Sequence, residues 1–298
     1  MKQKLPSYGQ MPPVAFQASD AQLASSGARM LIMGGQRRGI SGEMWVLETN
    51  GDGWMQVQPD AANGFTATIP ERTQSTLVSI GVEPQSSALL FGGYVLNVGE
   101  SNDLWLTEIS LDSNTSSPVA ANTKIEAEGT PPCPRYGHSA TLVGQAMIVI
   151  GGQDGTEQFN DVWSVSIEPF VWSAISTDGP SPAPRSRHTA TLVDGKILVW
   201  GGFSRKERVL GDAYTLTLSG NSGKWNPWEV STGAMPPPRA QHTMSSHPDG
   251  QHCYIFGGYD GEKNTKDIWV LNVAETTAAE LQCAVQVYPP ACSRVSLT

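Results

Sequence analysis

An apolar segment that ends in two glycines occurs five times along the chain of 298 residues. The copies are MLIMGG (30–35), ALLFGG (88–93), MIVIGG (147–152), ILVWGG (197–202) and CYIFGG (253–258). The second glycines stand at 35, 93, 152, 202 and 258, so the steps are 58, 59, 50 and 56 residues. Self-similarity at such a period is typical of folds built from repeated units, and each step has room for four short strands.

Two further motifs recur in step with the glycines. An acidic residue, any residue and an aromatic residue follow each pair, as Glu43-Met44-Trp45, Asp103-Leu104-Trp105, Asp161-Val162-Trp163, Asp212-Ala213-Tyr214 and Asp267-Ile268-Trp269. An arginine cassette precedes the last three pairs as PRYGHSATLV (134–143), PRSRHTATLV (184–193) and PRAQHTMSS (238–246), with a weaker ERTQSTLVS (71–79) and a degenerate FQASDAQLA (16–24). The motifs keep one order, so each repeat is one structural unit.

The ordered set of motifs resembles the repeat of the kelch family of β-propellers over nearly the whole chain. This resemblance implies an all-β fold in which each repeat forms one four-stranded antiparallel blade around a central channel. We expect one domain over residues 1–298 with five blades, and a partial sixth blade is the alternative. Residues 2–5 could close the ring as an outer strand, but 281–288 could fill the same slot. The expected repeats are 14–60, 70–115, 132–176, 182–231 and 236–288.

The residue types in each repeat support this interpretation independently. The short, uniformly apolar strand before each glycine pair suits a strand that is covered on both faces. Glycine at the strand end allows a positive φ and a close approach of backbone or of an aromatic ring, and the following Trp or Tyr could fill that space. The 31 glycines, 21 prolines and 16% charged residues also fit many short strands and tight turns.

Several function classes are disfavoured. Neither G-x-G-x-x-G nor a P-loop occurs, so the glycine pairs are interpreted as structural. A net charge of -9 argues against nucleic-acid and anionic-membrane binding, and the apolar runs are too short to span a bilayer. Four scattered cysteines without a Cys-x-x-Cys pair favour reduced thiols. We expect a cytoplasmic chain without metal or cofactor.

The histidines and arginines of the cassette are interpreted as structural. His138, His188 and His242 hold equivalent positions in successive repeats, which favours hydrogen bonds between adjacent strands or blades over a shared metal site. The arginine fork could tie carbonyls or carboxylates between blades. We therefore predict no catalytic constellation.

The loops after the glycine pairs diverge while the framework repeats, so they are candidates for partner contact. In kelch proteins these loops and the cassette loops crowd one face around the channel. Carried over by position, the resemblance implies a partner-binding surface formed by Gln36, Arg37, Arg38, Tyr94, Tyr136, Gln153, Asp154, Arg187, Phe203, Arg205, Gln241, Tyr259 and Asp260.

Two of these loops are basic, at Arg37-Arg38 and at Arg205, Lys206 and Arg208, which favours an acidic or phosphorylated partner segment. We predict a monomeric protein-interaction module, an adaptor or scaffold, rather than an enzyme. The alternative is a propeller enzyme of the sugar-acid mutarotase type that acts at the channel mouth. The iron-binding E-x-x-x-D-x-x-x-H run of some kelch enzymes is absent from the sequence.

Overall fold

The computed structural model of the protein describes residues 19–20, 29–34, 42–48, 53–59, 67–80, 86–111 and 117–281. All regular structure within these residues is β-strand. The chain forms two compact units, of which unit 1 is Met1–Glu157 with Trp163–Ala174 and unit 2 is Gln158–Val162 with Ile175–Thr298. Of the two candidate closing segments, 2–5 lies outside the described residues, and so does 281–288 apart from Leu281, so the blade count stays a prediction.

The first repeat, in unit 1, is a four-stranded antiparallel sheet in the order β1-β2-β3-β4. The register pairs Ser19 with Ile32 and Trp45 with Gln56. The strands of this repeat are β1 (Ser19–Asp20), β2 (Arg29–Met33), β3 (Met44–Glu48), β4 (Gly53–Gln56) and the short β5 (Gln58–Pro59).

The second repeat, also in unit 1, repeats this arrangement with longer strands. Strand β8 pairs with β7 and β9, β10 pairs with β9, and β6 pairs with the end of β8. The strands are β6 (Arg72–Thr73), β7 (Thr76–Ser79), β8 (Ser86–Val95), β9 (Gly99–Leu111) and β10 (Pro118–Ile125).

The third repeat contributes β11 (Ser139–Val143), β12 (Ala146–Gln153), β13 (Gln158–Ser166) and β14 (Trp172–Asp178). Within unit 1, β11 and β12 form an antiparallel hairpin, and the backbone N–H of Ser166 donates to the carbonyl of Val171 at the turn from β13 to β14.

The fourth and fifth repeats, in unit 2, are antiparallel sheets of the same kind. One runs β15-β16-β17-β18 and the other β20-β21-β22-β23, with β19 at the outer edge. The strands are β15 (Thr189–Val193), β16 (Lys196–Ser204), β17 (Arg208–Ser219), β18 (Ser222–Trp228), β19 (Thr232–Gly233), β20 (Thr243–Ser246), β21 (His252–Phe256), β22 (Ile268–Asn272) and β23 (Thr277–Glu280). The prediction of an all-β chain of four-stranded repeats is confirmed.

The chain leaving a repeat pairs in parallel with the outermost strand of the next repeat. In unit 1, β5 pairs with β10, and Glu128 bridges to Val171. In unit 2, Ser176–Asp178 pairs with β18, and β19 pairs with β23. The backbone itself therefore fastens consecutive repeats along their outer edges.

The apolar strands β8, β12 and β16 are buried on both faces, as their uniform hydrophobicity predicts, whereas β21 alternates between buried and half-buried residues. Leu89, Leu90 and Phe91 are fully buried in β8, and Leu198 and Trp200 in β16. Alternate residues of such a strand point to opposite faces, so a run without exposed members requires packing on both sides. Other side chains therefore cover both faces of these three strands.

In the fourth repeat, the glycine pair lies between two histidines and against backbone, which is one of the two close approaches that the sequence allowed, while no Trp or Tyr is among the nearest atoms. A Cβ on Gly202 would lie 2.7 Å from Cβ of His188, and one on Gly201 would lie 2.7 Å from the carbonyl oxygen of Arg239 and 3.3 Å from Cε1 of His242. Both glycines have positive φ, at +101° and +57°. The fit therefore excludes any side chain at the second position.

Candidate partner-binding surfaces

A buried arginine lies in every cassette except the degenerate first copy. Its Nη1 donates to the carbonyl of the first glycine of the same repeat, at 2.9–3.0 Å, and its Nε donates to the carbonyl two residues earlier. Each of these arginines is at most 1% exposed, and the set is Arg72, Arg135, Arg185 and Arg239. The predicted bonds from the arginine fork to carbonyls are present.

In the second, fourth and fifth repeats, the acidic residue of the acidic-x-aromatic motif forms an ion pair with this arginine. Arg185 binds Asp212 through two bonds of 2.9 and 2.8 Å, and Arg239 binds Asp267 at 2.9 and 2.7 Å. The hydrogen bond from Arg239 is the main cause that lowers the pKa of Asp267 to about 2, and a bond from the Trp269 indole adds to it. These ion pairs lie within single repeats, so the expected ties between blades are wrong for these guanidinium groups.

The backbone of the arginine makes the link between repeats instead. The N–H of Gly93 donates to the carbonyl of Arg135, and the N–H of Gly202 donates to that of Arg239, both at 2.9 Å. The arginine side chain therefore forms hydrogen bonds within its own repeat, and its main-chain carbonyl forms a hydrogen bond with the preceding repeat.

The cassette histidines join neighbouring repeats through their side chains. Nε2 of His138 lies 2.8 Å from the Thr76 hydroxyl, and Nε2 of His242 lies 2.6 Å from that of Thr189. Burial, with a smaller effect from the neighbouring arginine charge, lowers the pKa of both histidines to about 3. They are neutral at physiological pH, and the predicted structural role between adjacent repeats is confirmed for this pair.

The loops after the glycine pairs and the arginine-cassette loops pair with each other in every repeat from the second to the fifth. The residue after the arginine bridges through the backbone to the residue after the second glycine. The pairs are Thr73 with Tyr94, Tyr136 with Gln153, Ser186 with Phe203, and Ala240 with Tyr259. The sequence placed these loops together only by family resemblance, and the bridges give the physical reason.

In unit 1, the candidate loops bring together an aromatic pair and a turn. Tyr94 is 40% exposed, and its ring centroid lies 5.9 Å from that of the half-buried Tyr136 in an edge-on arrangement. Gln153 is 8% exposed, so its side chain offers little surface. Asp154 is half-buried and its carboxylate accepts the N–H groups of Thr156 and Glu157.

In unit 2, Arg187 and Gln241 are directly connected. Both have positive φ, at 56° and 58°, where the third repeat has Gly137. The N–H of Gln241 donates to the carbonyl of Arg187 at 3.0 Å. The link between them is a backbone hydrogen bond and does not use the side chains. The Arg187 side chain is half-buried, and that of Gln241 is exposed.

The other unit 2 candidates follow the glycine pairs. Gln158, which the sequence did not nominate, accepts the backbone N–H of the exposed Arg205 at 2.6 Å and donates to the carbonyl of Phe203 at 3.1 Å. Tyr259 is 38% exposed, and its hydroxyl donates to the carbonyl of Gly261. The Asp260 carboxylate accepts two backbone N–H groups, which lower its pKa. Gln36, Arg37 and Arg38 lie outside the described residues.

The sequence analysis missed an apolar hairpin tip between β8 and β9. Leu96 is 38% exposed and Val98 is 78% exposed. Their position beside Asn97 and Gly99 in the turn segment YVLNVG (94–99) is the signal that could have revealed them.

Groups that could bind a metal do not cluster in the described part of the chain. It contains no set of three or more His, Cys, Asp or Glu side chains that could hold a metal ion. Cys133 and Cys253 are free thiols, and burial raises the pKa of Cys253 to about 12. Within the same residues, no helix is long and apolar enough to cross a membrane.

Repeated four-stranded sheets with a buried Arg–carboxylate pair, a neutral histidine and paired loops define a repeat-built all-β protein. The family model of the KLHDC2/KLHL20/DRC7 Kelch-repeats domain matches residues 20–198 and 171–298. The chain belongs to the kelch-repeat family.

Relatives with this repeat are larger proteins. The chain is 27% identical over 288 residues to Acyl-CoA-binding domain-containing protein 5 of Arabidopsis thaliana, which covers 96% of the chain and 42% of that protein. It is 29% identical over 258 residues to Host cell factor 1 of Homo sapiens, covering 83% of the chain and 10% of the relative. Tip elongation aberrant protein 1 of Schizosaccharomyces pombe is 27% identical over 186 residues, which is 60% of the chain and 15% of the relative. The chain thus spans less than half the length of these relatives.

Proposed function

We propose that the chain is a protein-interaction module of the adaptor or scaffold type, which binds a partner through the loops after the glycine pairs and the arginine-cassette loops. The observation that carries this proposal is the backbone bridge between the two loops in each of four repeats. A site whose loops are held together by backbone hydrogen bonds, next to the buried cassette arginines and histidines, is preorganised for binding. The loop side chains are available for recognition because the backbone bridges between the loops do not depend on them.

The chemistry of the unit 2 loops favours an acidic or phosphorylated segment of the partner. Arg205, Lys206 and Arg208 are exposed on the hairpin between β16 and β17. Gln158 fixes the backbone at Arg205, so this hairpin presents its charges from a defined position. Guanidinium groups form strong bidentate hydrogen bonds with carboxylates and phosphates. Phe203 and Tyr259 supply the aromatic surface that binding sites commonly use as anchors.

The proposal is tested by affinity purification with the wild-type chain as bait, followed by identification of the partners. Arg205→Glu should weaken capture of the main partner about tenfold or more, because it places a carboxylate where the partner's anion binds. A second bait with Arg37→Glu and Arg38→Glu tests the other basic loop.

Lys224→Glu is the matched control, since Lys224 is an exposed cation of unit 2 on β18 and outside the candidate loops. It carries the same change of charge and should leave capture unchanged. If both Arg205→Glu and the double variant recover the same partners in the same amounts as wild type, the proposed surface is wrong.

Cytoplasmic location and a monomeric state belong to the same proposal. An enzyme of the sugar-acid mutarotase type, acting at the channel mouth, stays the alternative prediction, and no particular observation on the described residues favours it.

A further inference from the structure

The hairpin tip between β8 and β9 is an apolar surface that the framework does not use. Tyr94, Leu96 and Val98 are three of the six large hydrophobic residues exposed in the described part of the chain, and they lie within five positions. Val98 is 78% exposed. Single exposed apolar residues are normal on a protein surface, but a cluster of this kind marks a contact site.

The tip has a fixed conformation. The N–H of Leu96 donates to the carbonyl of Glu71, and the N–H of Val98 donates to that of Val95. Asn97 takes a φ of 61°, which closes the turn, and Tyr94 packs edge-on against Tyr136. A partner therefore meets preformed apolar side chains and loses little of its binding free energy to ordering them.

Two acidic residues, Glu71 and Glu100, neighbour the tip. Glu71 adjoins it through the Leu96 hydrogen bond, and Glu100 pairs with Tyr94 across the hairpin. The Glu100 carboxylate also lies 3.4 Å from the position that a Cβ on Gly155 would take, so it lies beside the turn that ends at the exposed Glu157.

Cations do not balance these acids among the side chains that the structure describes in unit 1. Arg72 and Arg135 are buried, and Lys124 is bound to Asp103 at 3.3 Å. An apolar centre with an acidic rim is complementary to a partner segment of the opposite charge. The same rim opposes anionic lipid surfaces and a second copy of this chain, whose net charge is also -9.

We propose that Tyr94, Leu96 and Val98 dock a partner segment in which a bulky apolar side chain is flanked by Lys or Arg. This inference rests on the proposed interaction function and assigns unit 1 a ligand chemistry opposite to that of the basic hairpin in unit 2.

The test uses a phage-displayed random dodecapeptide library, selected on the immobilised full chain, with enriched peptides then measured by fluorescence anisotropy. Enriched peptides should combine a bulky apolar residue with Lys or Arg. The Leu96→Ser and Val98→Ser double variant should lower their affinity by about tenfold, since an apolar anchor loses its contact. Glu100→Gln should lower it about threefold and reduce its dependence on salt.

Leu111→Ser is the control, because Leu111 is 47% exposed at the far end of β9. It should leave affinity unchanged, and an unchanged thermal unfolding midpoint of the double variant shows that its fold is intact. Recovery of acidic peptides alone, failure to enrich any peptide, or full binding to the double variant would each overturn the inference. Peptides that bind the double variant normally but lose affinity for Arg205→Glu would leave the proposed function standing while overturning this one.

Discussion

Arg72, Arg185 and Arg239 each bury a full positive charge, and the carboxylate that balances it comes from the acidic-x-aromatic motif of the same repeat. The arginine side chains of Arg185 and Arg239 are 1% and 0% exposed. A buried charge without a partner is strongly unfavourable, so the two motifs are required together. The sequence revealed both motifs but not their pairing, because 27 or 28 residues separate the partners and strand register alone brings them together.

We therefore expect Asp267→Asn to lower the free energy of unfolding by about 2 to 4 kcal/mol, because Arg239 keeps its charge after its partner loses its own. Equilibrium urea denaturation measures the change. Asp194→Asn is the control, since it removes an exposed pair with Lys196 and should cost less than about 0.5 kcal/mol. Equal losses for the two variants would contradict the structural role of the buried pair.

The neutral histidines make stability dependent on pH. The pKa of His138 and of His242 is about 3 in the fold and returns to about 6.5 on unfolding, so the unfolded chain binds more protons between these values. Their contribution to stability is complete above about pH 6.5 and is lost as pH falls toward 3. We expect a slope of about 1.4 kcal/mol per pH unit for each histidine in this range.

Urea denaturation at several pH values between about 7 and 4.5 tests this dependence, and His242→Gln should reduce the slope by the share of one histidine. His247→Gln is the comparison, since His247 is an exposed histidine on a turn. A slope that His242→Gln leaves unchanged would show that other groups govern the acid response.

At the scale of elements, the parallel edge pairings are what the sequence analysis did not foresee. It predicted four antiparallel strands per repeat, which the register confirms, because the apolar run and the turns fix these strands locally. The parallel pairing of β19 with β23 joins residues more than 40 positions apart, and no local pattern announces it. A glycine six residues before the arginine was nevertheless a visible signal, at Gly129, Gly179 and Gly233.

Gly179 shows why this position excludes a side chain. A Cβ there would lie 2.4 Å from the carbonyl oxygen of Trp225, and its φ is +80°. We expect Gly179→Ala to destabilise the fold by about 3 kcal/mol or more, through the clash and the positive φ together. Chemical denaturation gives the value.

Gly250→Ala separates the two causes, because Gly250 has a φ of +73° and a Cβ there would meet open space. That variant should cost about 1 kcal/mol from the backbone conformation alone. If both variants lose a similar amount of unfolding free energy, the backbone at Trp225 moves to accept the new Cβ and the predicted clash is wrong.

At the scale of the molecule, the two units carry exposed loops of different chemistry. Unit 2 exposes Arg205 and Lys206, while unit 1 exposes apolar residues with acidic neighbours. The sequence indicated the basic loop because the charge of a side chain follows from the residue type alone. It did not indicate the apolar tip as a surface, since exposure of Leu96 and Val98 depends on the hairpin that carries them.

A net charge of -9 opposes self-association, so we expect a monomer of 31.9 kDa in light scattering coupled to size-exclusion chromatography. The mass should stay the same at low and at high salt. A dimer that appears as salt rises, and that Leu96→Ser with Val98→Ser abolishes, would show that the hairpin tip binds a second copy instead.

The backbone bridges between paired loops also bear on how such a protein diversifies. Tyr94, Tyr136, Phe203 and Tyr259 are held there by main-chain hydrogen bonds that any residue except proline can make. We expect the exposed side chains of Tyr94 and Tyr259 to tolerate substitution while the fold is retained. We therefore expect the chain to be a suitable starting scaffold for directed evolution. Gene duplicates that share its core could acquire unrelated ligands through substitutions at these few loop positions.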